Sequence, residues 1–172
     1  HGNTKSIVVL PFKNLSDDQE NQYFADGIME EVLYNLGRIK DLRVASRTTS
    51  EQFRTSSMTA QEIAAKLKVS HILEGSVQKQ SDIIRVSVQL IDAVGDRHLW
   101  SEKYERNMMD IFSIQSDIAF QIANRMEAAL SSDEIEQIKK IPTNSIEAYN
   151  FYLLGRYFLQ KNPQEAILNK SI

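Results

Sequence analysis

The sequence predicts an α/β protein: a mixed sheet that includes an antiparallel three-strand meander, packed by helices. Two observations carry this. The apolar run Ser6-Ile7-Val8-Val9-Leu10-Pro11-Phe12 is followed by a segment with Phe24, Ile28, Val32 and Leu36 at every fourth position. That is a strand buried on both faces, then a helix with one apolar face. From His71 onward the period drops to two. Ile84, Val86, Val88 and Leu90 alternate with Arg85, Ser87 and Gln89, which marks a strand with one dry and one wet face.

Each element follows from local chemistry. Pro11 has no N–H for a ladder and marks the end of the first strand or an edge. Asn14-Leu15-Ser16-Asp17-Asp18 is turn chemistry. The first helix is expected over 22–39, with Gly37 as its C-terminal stop. A short strand over 42–46 and a Ser/Thr-rich loop over 48–57, with one helical turn near Gln52-Phe53, come next. Thr59 and Glu62 form a capping box that opens a helix turning Ile63, Ala64 and Leu67 inward. Strands over 71–80, 83–92 and 97–105 are joined by Ser81-Asp82 and Val94-Gly95-Asp96. Connections this short make antiparallel neighbours, because a parallel crossover needs a dozen residues or more. Asp110 is positioned to cap a helix over 111–130, where Ile114, Ile118, Ile122 and Met126 repeat every fourth residue. Helices packed on a mixed sheet follow from that order.

The unit is thus expected to span 6–130, after a tag remnant or linker at 1–5 that begins His1-Gly2. A charged linker over 131–143 ends at Pro142. Beyond it, Asn144 and Glu147 suggest a cap, and Phe151, Leu154, Gly155 and Phe158 match the spacing of a tetratricopeptide repeat's first helix. Residues 144–172 then read as a truncated repeat, which cannot bury its own apolar face.

Composition narrows the function classes. A net charge of −3 and a pI near 5.7 argue against nucleic acid as a partner of this chain, since phosphate neutralisation needs clustered Lys and Arg. With no cysteine, disulfides, thiolate metal sites and Cys nucleophiles are excluded together. The longest apolar run is too short to span a bilayer, and nothing resembles a signal peptide. His71 and His98 lie on predicted strands with no partner at ligand spacing. No G-x-S-x-G elbow exists, Ser76 after Gly75 sits in a strand, and Gly27 stands alone within a helix, so neither a nucleophile nor a phosphate cradle is marked. Asp17, Asp18, Asp26 and Glu30 crowd the first loop and helix. An acid/base pair is conceivable there, but acidic residues near a helix start serve the helix dipole, and Asp26 is read that way. No cofactor is implied.

Five blocks together resemble a known family. They are the opening with Tyr23-Phe24-Ala25-Asp26-Gly27, then Leu42 to Thr48, Ile72 to Val77, Val88 to Ala93 and His98 to Tyr104. In order and spacing they resemble the TolB amino-terminal-domain-like module of bacterial multidomain signalling proteins. In that family the module commonly precedes tetratricopeptide repeats, in parents with a nucleotide-cyclase or winged-helix effector. The resemblance implies a non-catalytic binding or scaffolding part for protein or peptide partners, with self-association open. It also implies a parent anchored in a membrane with this module on the periplasmic side; a cytoplasmic parent is the alternative. The rival function is a fragment of an adenylate cyclase-type enzyme or transcriptional regulator whose effector lies elsewhere.

Candidate interaction residues are Asn14, Ser16, Tyr23 and Asp26 around the first loop, Trp100 and Tyr104 on one strand face, and Phe151 and Phe158 in the tail. For Trp100 and Tyr104, sheet-to-helix core is the simpler reading. An unpaired edge of the sheet is a second candidate surface.

Overall fold

The computed structural model describes residues 5–16, 18 and 21–140. The tetratricopeptide reading, with Phe151 and Phe158, lies outside them. The elements are β1 (Ser6–Val9), β2 (Lys13–Asn14), α1 (Gln22–Gly37), β3 (Arg43–Val44), α2 (Arg47–Glu51), α3 (Ala60–Leu67), β4 (His71–Gln80), β5 (Ile83–Asp92), β6 (Arg97–Asn107), α4 (Ile111–Arg125) and α5 (Ser132–Lys139). The sheet runs β3-β1-β4-β5-β6, and β2 also pairs with β4. β1 lies parallel to both β3 and β4. β4, β5 and β6 form the expected antiparallel meander, from His71 opposite Asp92 to Ile83 opposite Asn107.

β1 is buried on both faces, as its uninterrupted apolar run requires. Ile7 and Val9 enter the main core with α1 and α4, whereas Val8 packs with Ile72, Phe53, Ile63 and Val69 beneath α3. Pro11 does not end the pairing with β4; it interrupts it. Leu10 donates to Leu73, the chain steps past Pro11, and β2 resumes in parallel with Lys13 opposite Ser76. At the step, Phe12 folds into the core over Gly75. A Cβ on Gly75 would lie 2.6 Å from the ring, so the close approach needs glycine.

Several boundaries differ from expectation, each for a visible reason. Residues 47–51 form a helix and not a loop, because Ser46 caps it by accepting from Thr49 N–H. Gly37 ends α1, yet no glycine has a positive φ among the described residues. Left-handed helix stops fall instead on Lys68 and Glu127, where Val69 bonds back to Ala64 and Ala128 to Ala123. That second stop ends α4 at Arg125, short of the expected residue 130. Asp110 makes no side-chain cap; Asn107 caps a 3-10 turn, Met108–Asp110, that leads into α4.

The stretch expected as a charged linker carries α5, opened by a capping box between Ser131 and Glu134. Ile138 is buried in the main core, Glu134 accepts from Lys40 N–H at 2.7 Å, and Ser116 donates to the Ile138 carbonyl at 2.9 Å. Two Ile residues in an otherwise polar octet were too sparse a signal. The packed unit therefore extends to Lys139.

Candidate functional site: a groove over the open face of the meander

The two halves of the sheet are covered differently. On the side of α1 and α4, Leu73, Val77, Ile84, Val86, Val88, Leu90, Trp100 and Tyr104 close the main core. On the other side, α3 and the residues after α2 cover β1 and the start of β4 only. Beyond Ile72 that face is polar: Glu74 stands opposite Gln89, Ser76 opposite Ser87, Gln89 opposite Ser101, and Ser87 opposite Lys103. The alternation in β5 placed these side chains on the wet face correctly.

Over this floor lies an open groove of about 1440 Å³. One wall is the strand interruption from Leu10 to Leu15. The other holds Phe53, Met58 and Ile63, so the groove combines a hydroxyl- and amide-bearing floor with apolar walls.

Its end is set by a ladder of charges between α1 and α2. Asp26 accepts from Gln22 Nε2 at 2.9 Å and from Arg54 Nη2 at 3.0 Å; Arg54 Nε donates to Glu51 at 2.8 Å. Arg47 spans Glu51 and Glu30. Asp26 and Glu30 are 6% and 5% exposed, and carboxylates so buried need partners. Arg47 and Arg54 supply them and so tie α2 to α1. The Glu51 carboxylate, ahead of the Asp26 charge, pushes the Arg54 guanidinium still further from deprotonation. Asp26 lies one turn into the helix, which has no acidic residue in its first turn. The helix-dipole reading of Asp26 is therefore replaced by an ion pair.

The other expected residues divide. Asn14 accepts from Ser16 N–H at 3.0 Å, and Ser16 Oγ accepts from Lys79 N–H at 2.8 Å, so both side chains shape the loop beside the groove. Tyr23 is half-buried with its ring edge-on to Phe24. Trp100 and Tyr104 are buried in the main core, which is the simpler of their two readings. The Tyr104 hydroxyl donates to Asp117 on α4. Burial first, and then that carboxylate, raises its pKa above the usual phenol value. Sequence reasoning missed Arg47, Glu51, Phe53, Arg54 and Met58. The one available signal was the Arg47–Glu51 spacing of four residues, which suits an ion pair on a helix.

A second polar cluster sits at the opposite end of β4. Ser70 Oγ lies 2.7 Å from His71 Nδ1 and donates to the Ser6 carbonyl at 2.9 Å. Burial lowers the His71 pKa, while Asp92, opposite it in the ladder, acts the other way.

Comparison with known proteins adds three findings. Residues 3–121 match the family described as HilA/YgeH-like transcriptional regulator, second domain. A Rhizobium meliloti (strain 1021) protein named "Putative adenylate cyclase 3" is 35% identical over 151 residues, 88% of this chain; the chain spans 26% of that protein. Among solved structures, TolB from Acinetobacter baumannii superposes with a TM-score of 0.54 at 16% identity, covering 72% of this chain and 28% of TolB. Lipoprotein GNA1162 from Neisseria meningitidis gives 0.50 at 19% identity, over 70% of this chain and 97% of the lipoprotein. The TolB-like α/β fold expected from the five blocks is thus matched.

Proposed function

Because this chain belongs to the HilA/YgeH-like transcriptional-regulator second-domain family, we propose that it serves as the recognition module of a multidomain bacterial regulator. Its groove would receive an extended peptide segment from a partner protein, and the module itself would carry no turnover. The single observation behind this reading is the groove, whose 1440 Å³ exceeds the roughly 300–1,000 Å³ of small-molecule pockets. An open polar floor with apolar walls suits a peptide: side chains pack on Phe53 and Met58, and backbone groups meet Ser76, Ser87, Gln89 and Ser101. The parent's membrane anchor and a periplasmic position belong to the same reading and rest on the family resemblance. Among the described residues no helix is long and apolar enough to cross a membrane. Protease accessibility of the parent in spheroplasts tests the compartment.

Peptides selected from an unbiased displayed library, mapped by backbone amide shifts, test the groove. The expected result is shifts at Ser76, Ser87, Gln89 and Ser101, with binding lost in Ser87→Trp. Selected peptides that bind the α1–α4 face, or that ignore Ser87→Trp, would overturn it. The named relative favours one rival, in which the chain is part of a cyclase-type enzyme. Reproducible nucleotide turnover by this chain, or a nucleotide-dependent rise in Tm, would support that rival.

A further inference from the structure

We propose that β6 is a self-pairing edge: two copies of this chain join antiparallel through residues 101–107 of β6, in one register centred on Tyr104. β6 ends the sheet order, and among the described residues nothing pairs with its far side. The register shift between Leu90 and Ile91 leaves Leu99 without a β5 partner, so the regular free edge is 100–107, long enough to template another strand. Met108 donates its N–H to Asp82 across the β5–β6 ladder. Antiparallel alternation then turns the N–H and C=O groups of Ser101, Lys103, Glu105 and Asn107 outward. These four can hydrogen-bond a second β6 without disturbing the first ladder.

Charge selects the register. Within the regular stretch 100–107, which the bulge at Leu99 bounds, a two-fold pairing that opposes outward-facing residues over at least five positions can centre on Glu102, Lys103, Tyr104 or Glu105. Centring on Glu102, Lys103 or Glu105 sets a like charge directly against itself, which is destabilising. Centring on Tyr104 sets Lys103 against Glu105 and Glu102 against Arg106, each pair occurring twice by symmetry, with Ser101 against Asn107. Four cross-strand ion pairs replace a self-repulsion. The charges that guard this edge against other strands therefore admit its own copy. The pairing is isologous, as closed dimers require. Opposed residues share a face, so the sheet continues across the junction and both grooves open on the same side. Lys103, which lines the groove, sits at the seam.

Sedimentation equilibrium of the chain over a wide concentration range tests this, with a reversible monomer–dimer equilibrium expected. Glu102 and Arg106 make no ion pair within the chain among its described residues, so reversing them reports on the seam. Glu102→Arg and Arg106→Glu should each weaken dimerisation about tenfold, and the double exchange should restore it. Lys103→Pro removes an outward N–H and leaves the β5 ladder intact, so the dimer should be lost while the circular dichroism spectrum and monomer Tm hold. A chain that stays monomeric to its solubility limit would overturn the proposal. So would a dimer indifferent to Lys103→Pro, or a double exchange no better than the single changes. None of these outcomes depends on peptide binding in the groove.

Discussion

The parallel and antiparallel halves of this sheet share β4 but differ in what covers them. Around β1 and the start of β4, helices lie on both faces, and Val8 and Ile72 are 0% exposed. Across β5 and β6 one face is dry, and the other is a row of Ser, Gln and Lys over an open groove. The parallel half is packed on both faces, and the antiparallel half is packed on one face and leaves the other to solvent. The division is made by chain length between strands: crossovers leave room for α1, α2 and α3, while two short turns leave nothing to cover the meander's second face.

The sharpest break of this contrast compares two residues on the same face of the sheet. Ile72→Ala should cost about 2–5 kcal/mol of unfolding free energy in urea titrations, because it leaves a cavity under α3. Gln89→Ala, on the open half, should stay within about 0.5 kcal/mol. Equal costs would mean that the open face is covered in solution.

Arg54→Ala tests the ladder that ties α2 to α1, and should cost about 1–3 kcal/mol by leaving Asp26 buried with a lost partner. Coupling to Asp26→Asn in a double-mutant cycle is expected; strict additivity would show that the pair is not made.

Gly75→Ala should cost about 1–3 kcal/mol by driving a methyl into the Phe12 ring. Phe12→Leu should relieve part of that loss, and failure to do so would place the strain elsewhere.

The smallest effect is a pH slope. Burial holds the His71 pKa below 6.5 in the folded chain, so the unfolded chain binds the proton more readily. The contribution of neutral His71 is then complete above pH 6.5 and is lost as pH falls through the lower folded value. His71→Asn should flatten the stability profile between neutral and mildly acid pH. An unchanged slope would show that burial does not shift this group.

Legibility followed the range of each interaction. Strands β4 and β5 matched their expected limits because alternation and two short turns are local signals that the sheet does not overrule. The Thr59–Glu62 capping box was equally local and is formed. β2 was missed because two residues carry no period; only their parallel pairing with Ser76 and Val77 makes them a strand. The Ser46 cap and α2 hid in a Ser/Thr-rich stretch, where the same side chains suit loops and helix starts equally.

The amino-acid sequence by itself determined the alternation of periods, and with it helices α1, α3 and α4, the meander and its wet face, since these depend on neighbours a few residues apart. Tertiary structure alone decided that β1 continues past Pro11 along β4, that Asp26 finds Arg54 and Glu30 finds Arg47, and that α5 docks on α4. Those contacts join residues distant in the chain, and they form because buried carboxylates and unpaired backbone groups must find partners wherever the fold brings them.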